Sequence, residues 1–485
     1  MRDPVVRIES IVRSFSQSNH PRIIESARAT VRPVTANVYG LRLLRKPRTQ
    51  RLVVVVILAV VLLTRLAQFL YWTGQIQWGY DFSFYWTAGA HLLHGESIYS
   101  AQQLAGPYAP QGQEGFLYPP PFAAAMVPFA VAFADPRLAE WLWTAVGAAI
   151  VIWAVLALHR SEDLGERYEM LAGRGRWLLV GAAFAFPPVV AELVLGNVNI
   201  LLLGLFRAAW LGIRRSTAAA PASGPAPAPT GTPAPAPAFD AATGITDRNH
   251  IPSRAANDPQ RDRTAVAGIA IGLSTVVKLF PGVLVLWLVL TRRYRAAAWA
   301  VIAAAVFVAI TLPVTGLQPW FDYPTVLANL SAPKDTTDTL APTVWLAPFL
   351  GFTLARLLVT AVGLAILVWT ARSRAATEVS FAIAVLVSVL IAPALYQHYL
   401  AILVLPMILA LGAGIRLRWI GLAYLLMSGG QQDALGDFAW IVNKGLPTAG
   451  VLLLLGLFLA KASGRLWNDD ARDCERAKHS LARGG

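Results

Sequence analysis

Few side chains in this 485-residue sequence could do chemistry, and those that could sit beside Pro or Gly between long apolar runs. Asp81 lies in Gly79-Tyr80-Asp81-Phe82-Ser83-Phe84-Tyr85, a lone carboxylate among aromatics just after the first apolar stretch. Such a carboxylate can take a proton from a hydroxyl as that oxygen attacks an electrophile. Lys278 stands inside Val276-Val277-Lys278-Leu279-Phe280-Pro281, and His398 ends Ala392-Pro393-Ala394-Leu395-Tyr396-Gln397. A cation held among apolar segments attracts an anion more strongly than one in water, because the local dielectric is lower. Glu192 follows Phe186-Pro187-Pro188 and precedes Gly196-Asn197-Val198-Asn199, which adds two amides. Ionisable residues at membrane depth are costly and are functional candidates by default. Broken helices at that depth are tolerated only where buried or lining a cavity.

Each of these residues also has a plainer reading. Asn197 and Asn199 can cap helix ends, as can Asp81. Lys278 and Arg65 can snorkel to a membrane surface. His398 can be a hydrogen-bonded interfacial histidine. Tyr118-Pro119-Pro120-Pro121 reads as a helix start, where a missing N–H does no harm. Several chemistries find no residues here. The sequence has no zinc-type Cys/His cluster, no Gly-Lys-Ser/Thr phosphate loop and no Gly-x-Ser-x-Gly elbow. No second acid follows Asp81 two residues on, so a tight divalent-metal site there is unsupported. No metal or cofactor is expected.

The elements that must position these groups are membrane helices. Hydrophobic residues are 56% of the chain, charged residues 14%, and mean hydropathy is +0.53, far from a soluble composition. An all-α polytopic bundle of about 11–13 membrane segments is expected, with apolar runs near 52–72, 120–134, 138–158, 177–194 and 198–213. After a break come 264–280, 281–291, 296–313, 353–371, 376–394, 398–413, 417–428 and 447–461. The runs 120–134 and 281–291 are short for a full crossing, and one short run must be a half-span or re-entrant helix. Phe82 to Leu93 is expected as an interfacial amphipathic helix, with Phe82, Tyr85, Trp86, Gly89, Ala90 and Leu93 on one face. The loop 314–346 mixes Trp320, Phe321, Asp322, Tyr323, Lys334, Asp335, Asp338 and Trp345. Acids among aromatics suit sugars, whose apolar ring faces stack on aromatic side chains.

Charge sets the orientation. The formal net charge is +14, yet no Lys or Arg occurs from Leu66 to Pro136, which directs that loop away from the cytoplasm. The basic residues cluster at helix ends, so the high pI gives no ground for a nucleic-acid partner. The domains expected are a basic cytoplasmic tail over 1–50 and a first membrane half over 51–213 that carries the outer loop 73–119. A Pro/Ala-rich cytoplasmic linker over 214–263 has too few large apolar residues to fold. A second membrane half over 264–462, with outer loop 314–346, and a tail over 463–485 complete the chain. Cys474, the single cysteine, can form no intramolecular disulfide.

The order of these motifs resembles glycosyltransferase family 87, of the GT-C superfamily. The matches are Asp81-Phe82, Tyr118-Pro119-Pro120, Gly196-Asn197-Val198-Asn199 and the run from Gly268 to Pro281 around Lys278, within roughly residues 52–460. The family more often has Gln where Asn197 stands, and a double His where Gln397-His398 stands. The resemblance implies an inverting enzyme that moves mannose or arabinofuranose from a polyprenyl-phosphate donor to an envelope glycolipid or glycan. It implies Asp81 as catalytic base and a late histidine at His398; the chemistry of the residues themselves suggests Lys278 and His398 at the donor phosphate and Tyr85, Tyr118, Asn197 and Asn199 as substrate-binding residues. The implied partners are donor, acceptor and membrane lipids, in the cell membrane, with the active site extracytoplasmic and the N-terminus cytoplasmic. The rival reading from the residues is a secondary transporter or a flippase for lipid-linked saccharides.

Overall fold

The computed structural model describes residues 47–75, 78–107, 115–218, 259–331, 339–429 and 441–464. The basic tail before residue 47, the Pro/Ala-rich core of the linker, Lys334, Asp335, Asp338 and the chain from 465 onward lie outside the described residues. Every described element is helical. In chain order they are α1 (Pro47–Thr73), α2 (Tyr80–His94), α3 (Ala101–Ala105), α4 (Pro120–Ala132), α5 (Pro136–Ser161) and α6 (Leu164–Arg167). Then come α7 (Arg176–Ala185), α8 (Pro187–Leu195), α9 (Asn199–Ala218), α10 (Pro259–Val277), α11 (Gly282–Leu290), α12 (Tyr294–Thr315) and α13 (Gln318–Ser331). The rest are α14 (Pro342–Leu350), α15 (Phe352–Arg372), α16 (Thr377–Leu390), α17 (Val404–Gly412), α18 (Leu417–Met427) and α19 (Leu446–Ala462). A 3-10 turn, Gln397–Leu403, leads into α17. The chain divides into two compact units at Ala59/Val60, inside α1.

Five described helices are long and apolar enough to cross a bilayer alone: Thr49–Thr73, Pro136–Ser161, Tyr294–Thr315, Phe352–Arg372 and Ile441–Ala462. The run near 177–194, expected as a single span, is a bent pair. Gly173–Ala185 and Pro187–Leu195 meet at 63° around Phe186-Pro187-Pro188, because Pro denies the helix its hydrogen bond and clashes with the preceding turn. The other apolar runs form shorter helices, among them Pro120–Ala132, Arg263–Val277, Thr377–Leu390, Gln397–Gly412 and Leu417–Met427. α16 is apolar on every side, and Val379 to Leu390 are all buried, as an all-round hydrophobic helix requires. Phe381 of α16 stacks on Trp210 of α9 and meets Trp287 of α11 edge-on, while Trp287 Nε1 donates to Ser380 Oγ at 2.9 Å.

Small residues set the closest helix pair. Gly268 and Gly272, four apart on α10, face Ala296 and Ala300 of α12 so closely that an added Cβ would meet their carbonyl oxygens. Lipid supplies no hydrophobic drive between helices, so such close backbone packing is what holds them. α2 keeps its expected face except at its last turn. Phe82, Tyr85, Ala88 and Gly89 are buried, whereas Leu93 is exposed, because α2 packs on α4 and does not merely lie along an interface. Gly89 is the contact point; a Cβ there would stand 2.8 Å from the backbone of Met126.

Candidate active site

Two turns deliver the first acid. Gly79 takes a left-handed conformation (φ 71°), donates its N–H to Val194 O at 2.8 Å and starts α2 two residues before Asp81. Gly196, also left-handed (φ 69°), ends α8 against Phe82, where a Cβ would lie 2.7 Å from Phe82 Cβ. The close approach of these two glycine turns brings Asp81 to Asn197. Asp81 does not cap α2, since Gly79 occupies that position without a side-chain bond. Its Oδ2 instead accepts from Asn197 Nδ2 at 2.8 Å.

From Asn197 the contacts run inward. Asn197 Oδ1 accepts from Asn199 Nδ2 at 2.9 Å, from the backbone N–H of Val198 at 2.7 Å and from Tyr118 OH at 3.4 Å. Tyr85 OH donates to Tyr118 OH at 2.9 Å. Lys278, just past the end of α10, donates from Nζ to Asn199 Oδ1 at 3.3 Å. Its ammonium lies 3.6 Å from the centre of the Tyr399 ring, with Tyr118 at 5.3 Å and Phe280 at 5.8 Å. Cation–π attraction of this kind strengthens when the pair is desolvated. The structure thus joins Asp81, Asn197, Asn199, Tyr118, Tyr85 and Lys278, from parts of the chain almost 200 residues apart, in one polar network.

His398 stands one aromatic ring away. It stacks on Tyr396 (5.7 Å between centres) and meets Tyr399 edge-on (4.9 Å), and its Nε2 is buried without a hydrogen-bond partner among the described residues. Tyr85 and Asn199 are fully buried, with their polar atoms directed at Tyr118, Asn197, Glu192 and Lys278. Asp81, Lys278 and His398 keep partial exposure.

Two residues matter more than the sequence shows. Glu192, noticed there only as a deep acid, accepts from Asn199 Nδ2 at 3.0 Å, from the Ile200 N–H at 3.2 Å and from the Asn199 N–H. It fills the capping role at the start of α9 that the sequence offers to the asparagines. Tyr399, beneath Lys278, was hidden in the aromatic run around His398. Arg65 is apart from the site, its Nη1 donating to Gln68 Oε1 on α1.

Burial pushes the Asp81 carboxyl up to about 6, against the opposing pull of the Asn197 bond and then of the Lys278 charge. Burial also raises Tyr85 and Tyr118 well above the ordinary phenol range, so both remain neutral. Among the described residues, no three His, Cys, Asp or Glu side chains gather as a metal site.

Residues 116–242 and 255–395 match the family model of glycosyltransferase family 87. This covers more than half of the chain. The chain belongs to glycosyltransferase family 87. Tyr118, Asn197, Asn199 and Lys278 fall within the matched ranges, whereas Asp81 precedes them and His398 follows them, a narrower extent than the 52–460 expected. No curated protein matches the chain. Membership makes it a membrane glycosyltransferase, acting on a sugar donor and an acceptor in the bilayer that its apolar helices occupy.

Proposed function

We propose that this glycosyltransferase moves mannose or arabinofuranose from a polyprenyl-phosphate donor to an envelope glycolipid or glycan, with Asp81 as general base. The observation that carries this reading is the Asp81–Asn197–Asn199–Lys278 chain of contacts, which ties one carboxylate to one cation through two amides. A polyprenyl phosphate leaves as a stable anion, so departure needs no second carboxylic acid of the kind used in glycoside hydrolysis. The acceptor oxygen attacks the anomeric carbon while the bond from that carbon to the phosphate oxygen breaks. The hydroxyl proton passes to Asp81 and the electron pair leaves with the phosphate. A single displacement inverts the anomeric carbon.

Lys278 has N–H donors beyond the one given to Asn199, and these meet the phosphate as its charge grows. His398 Nε2, buried and unpartnered among the described residues, supplies a further polar contact to the donor. Tyr118 and Asn197 orient the carboxylate and border the sugar, with Tyr85 and Asn199 behind them. The loop free of Lys and Arg from Leu66 to Pro136 supports an extracytoplasmic active site and a cytoplasmic N-terminus.

The test is transfer from radiolabelled polyprenyl-phosphate mannose and arabinose to membrane lipid extract, with purified wild type and Asp81→Asn. Label moving with wild type alone supports donor, sugar and base together. No transfer from either donor by folded wild-type protein defeats the donor assignment.

A further inference from the structure

The polar chain from Lys278 to Asp81 has a direction. A carboxamide accepts on its oxygen and donates on its nitrogen, so each asparagine can satisfy its neighbours in one orientation only. Asn199 turns its oxygen to the Lys278 ammonium (3.3 Å) and its nitrogen to Glu192 Oε2 (3.0 Å) and Asn197 Oδ1 (2.9 Å). Turned over, it would set an NH2 group against an ammonium and an oxygen against a carboxylate. Asn197 therefore receives on Oδ1, where the Val198 N–H and Tyr118 OH also point, and Nδ2 is left for Asp81 Oδ2.

Glu192 is where that direction begins. It is 1% exposed, and its two oxygens accept from the Asn199 side chain and from the Asn199 and Ile200 N–H groups at the start of α9. The positive end of the α9 dipole favours an acceptor there, and the three N–H groups that point at Glu192 use both of its oxygens as acceptors, which fixes the orientation of the Asn199 amide. We propose that Glu192 is a positioning residue for the reaction: by fixing Asn199 it holds Asn197 as a donor to Asp81 Oδ2, leaving Oδ1 turned to the acceptor hydroxyl. This rests on Asp81 being the base.

The charged and titratable side chains that act on Asp81 are Lys278, Glu192, Tyr85 and Tyr118, with Glu140 of α5 against Gly79 at the start of α2, and of these only Glu192 is changed. Glu192→Gln keeps the shape and can still cap α9 with its amide oxygen, but its NH2 then faces Asn199 Nδ2, donor against donor. The experiment is kcat/KM against pH, with thermal unfolding alongside, for wild type, Glu192→Gln, Asn199→Ser and Asp81→Asn. Loosening the Asn197 bond removes a contact that favours the charged carboxylate. Glu192→Gln is therefore expected to move the acid limb to higher pH and to lower turnover at least tenfold on that limb, with little change in unfolding temperature. Asn199→Ser leaves the Glu192 backbone cap in place but cuts the link to Asn197, and the same upward shift is expected even if Glu192→Gln fails to fold.

A limb moved to lower pH would mean that Glu192 acts only as a nearby negative charge. An unmoved limb with a lower unfolding temperature would mean that it only caps α9. Either result overturns the proposal. Full activity in Asp81→Asn would instead defeat the base assignment, whereas an inactive Asp81→Asn beside an unmoved limb in folded Glu192→Gln or Asn199→Ser defeats the positioning role alone.

Discussion

Asp81→Asn is the most informative single change, because the amide keeps the size of the carboxylate and still accepts from Asn197 Nδ2. Folding should persist while transfer falls by about 10²–10⁴, the range that a positioned general base supplies; initial rates at saturating donor measure it. Wild-type transfer should also fade on acidification around pH 6, where the raised Asp81 carboxyl gains its proton and can no longer accept one. The sign is fixed by the role: a base works when unprotonated, so activity rises with pH through that limb. Lys278→Ala should act differently, weakening donor use and raising the KM for the polyprenyl-phosphate sugar more than it lowers kcat. A donor KM unchanged in Lys278→Ala would make the lysine structural. Asp81, Lys278 and His398 were legible in the sequence because charge is rare in apolar runs. Glu192 and Tyr399 are harder to read there: Glu192 meets Asn199 and Ile200 only because the chain turns back at Gly196, and Tyr399 meets Lys278 only once the helices have packed.

Among the elements, the α10–α12 pair depends on absent side chains. Gly272→Leu would drive four extra carbons toward the Ala300 carbonyl, and overpacking of this kind costs roughly 1–3 kcal/mol. Lys278 follows the same helix, so the variant should lose unfolding temperature in detergent and donor affinity together. Gly456 on α19 has nothing near its missing Cβ, and Gly456→Ala should change neither. The sequence revealed the long apolar helices by length and the break at Phe186-Pro187-Pro188 by composition, since Pro acts locally. It placed Phe82, Tyr85 and Gly89 of α2 on the face that is buried but added Leu93, which is exposed, because spacing reports which residues share a side and not how far along the helix a neighbour reaches. The close approach of Gly89 to the Met126 backbone of α4 is a tertiary contact of that kind.

For the whole molecule, the uneven distribution of charge makes a topological claim. A segment from Leu66 to Pro136 without Lys or Arg, in a chain of net charge +14, predicts that α2 and Asp81 lie on the side opposite the basic connectors. A single cysteine makes this simple to test. In a Cys474→Ser background, Glu96→Cys puts a thiol on the exposed turn after α2, and wild type keeps its own thiol at Cys474 in the C-terminal tail. A membrane-impermeant maleimide added to intact cells should label Glu96→Cys and spare Cys474 until the membrane is permeabilised. Labelling of Cys474 alone would turn the molecule over and bring the site to the cytoplasmic face, where a donor would have to be presented from the inner leaflet. The same enzyme chemistry would then serve a different membrane surface, so this orientation decides which acceptor hydroxyls Asp81 can reach.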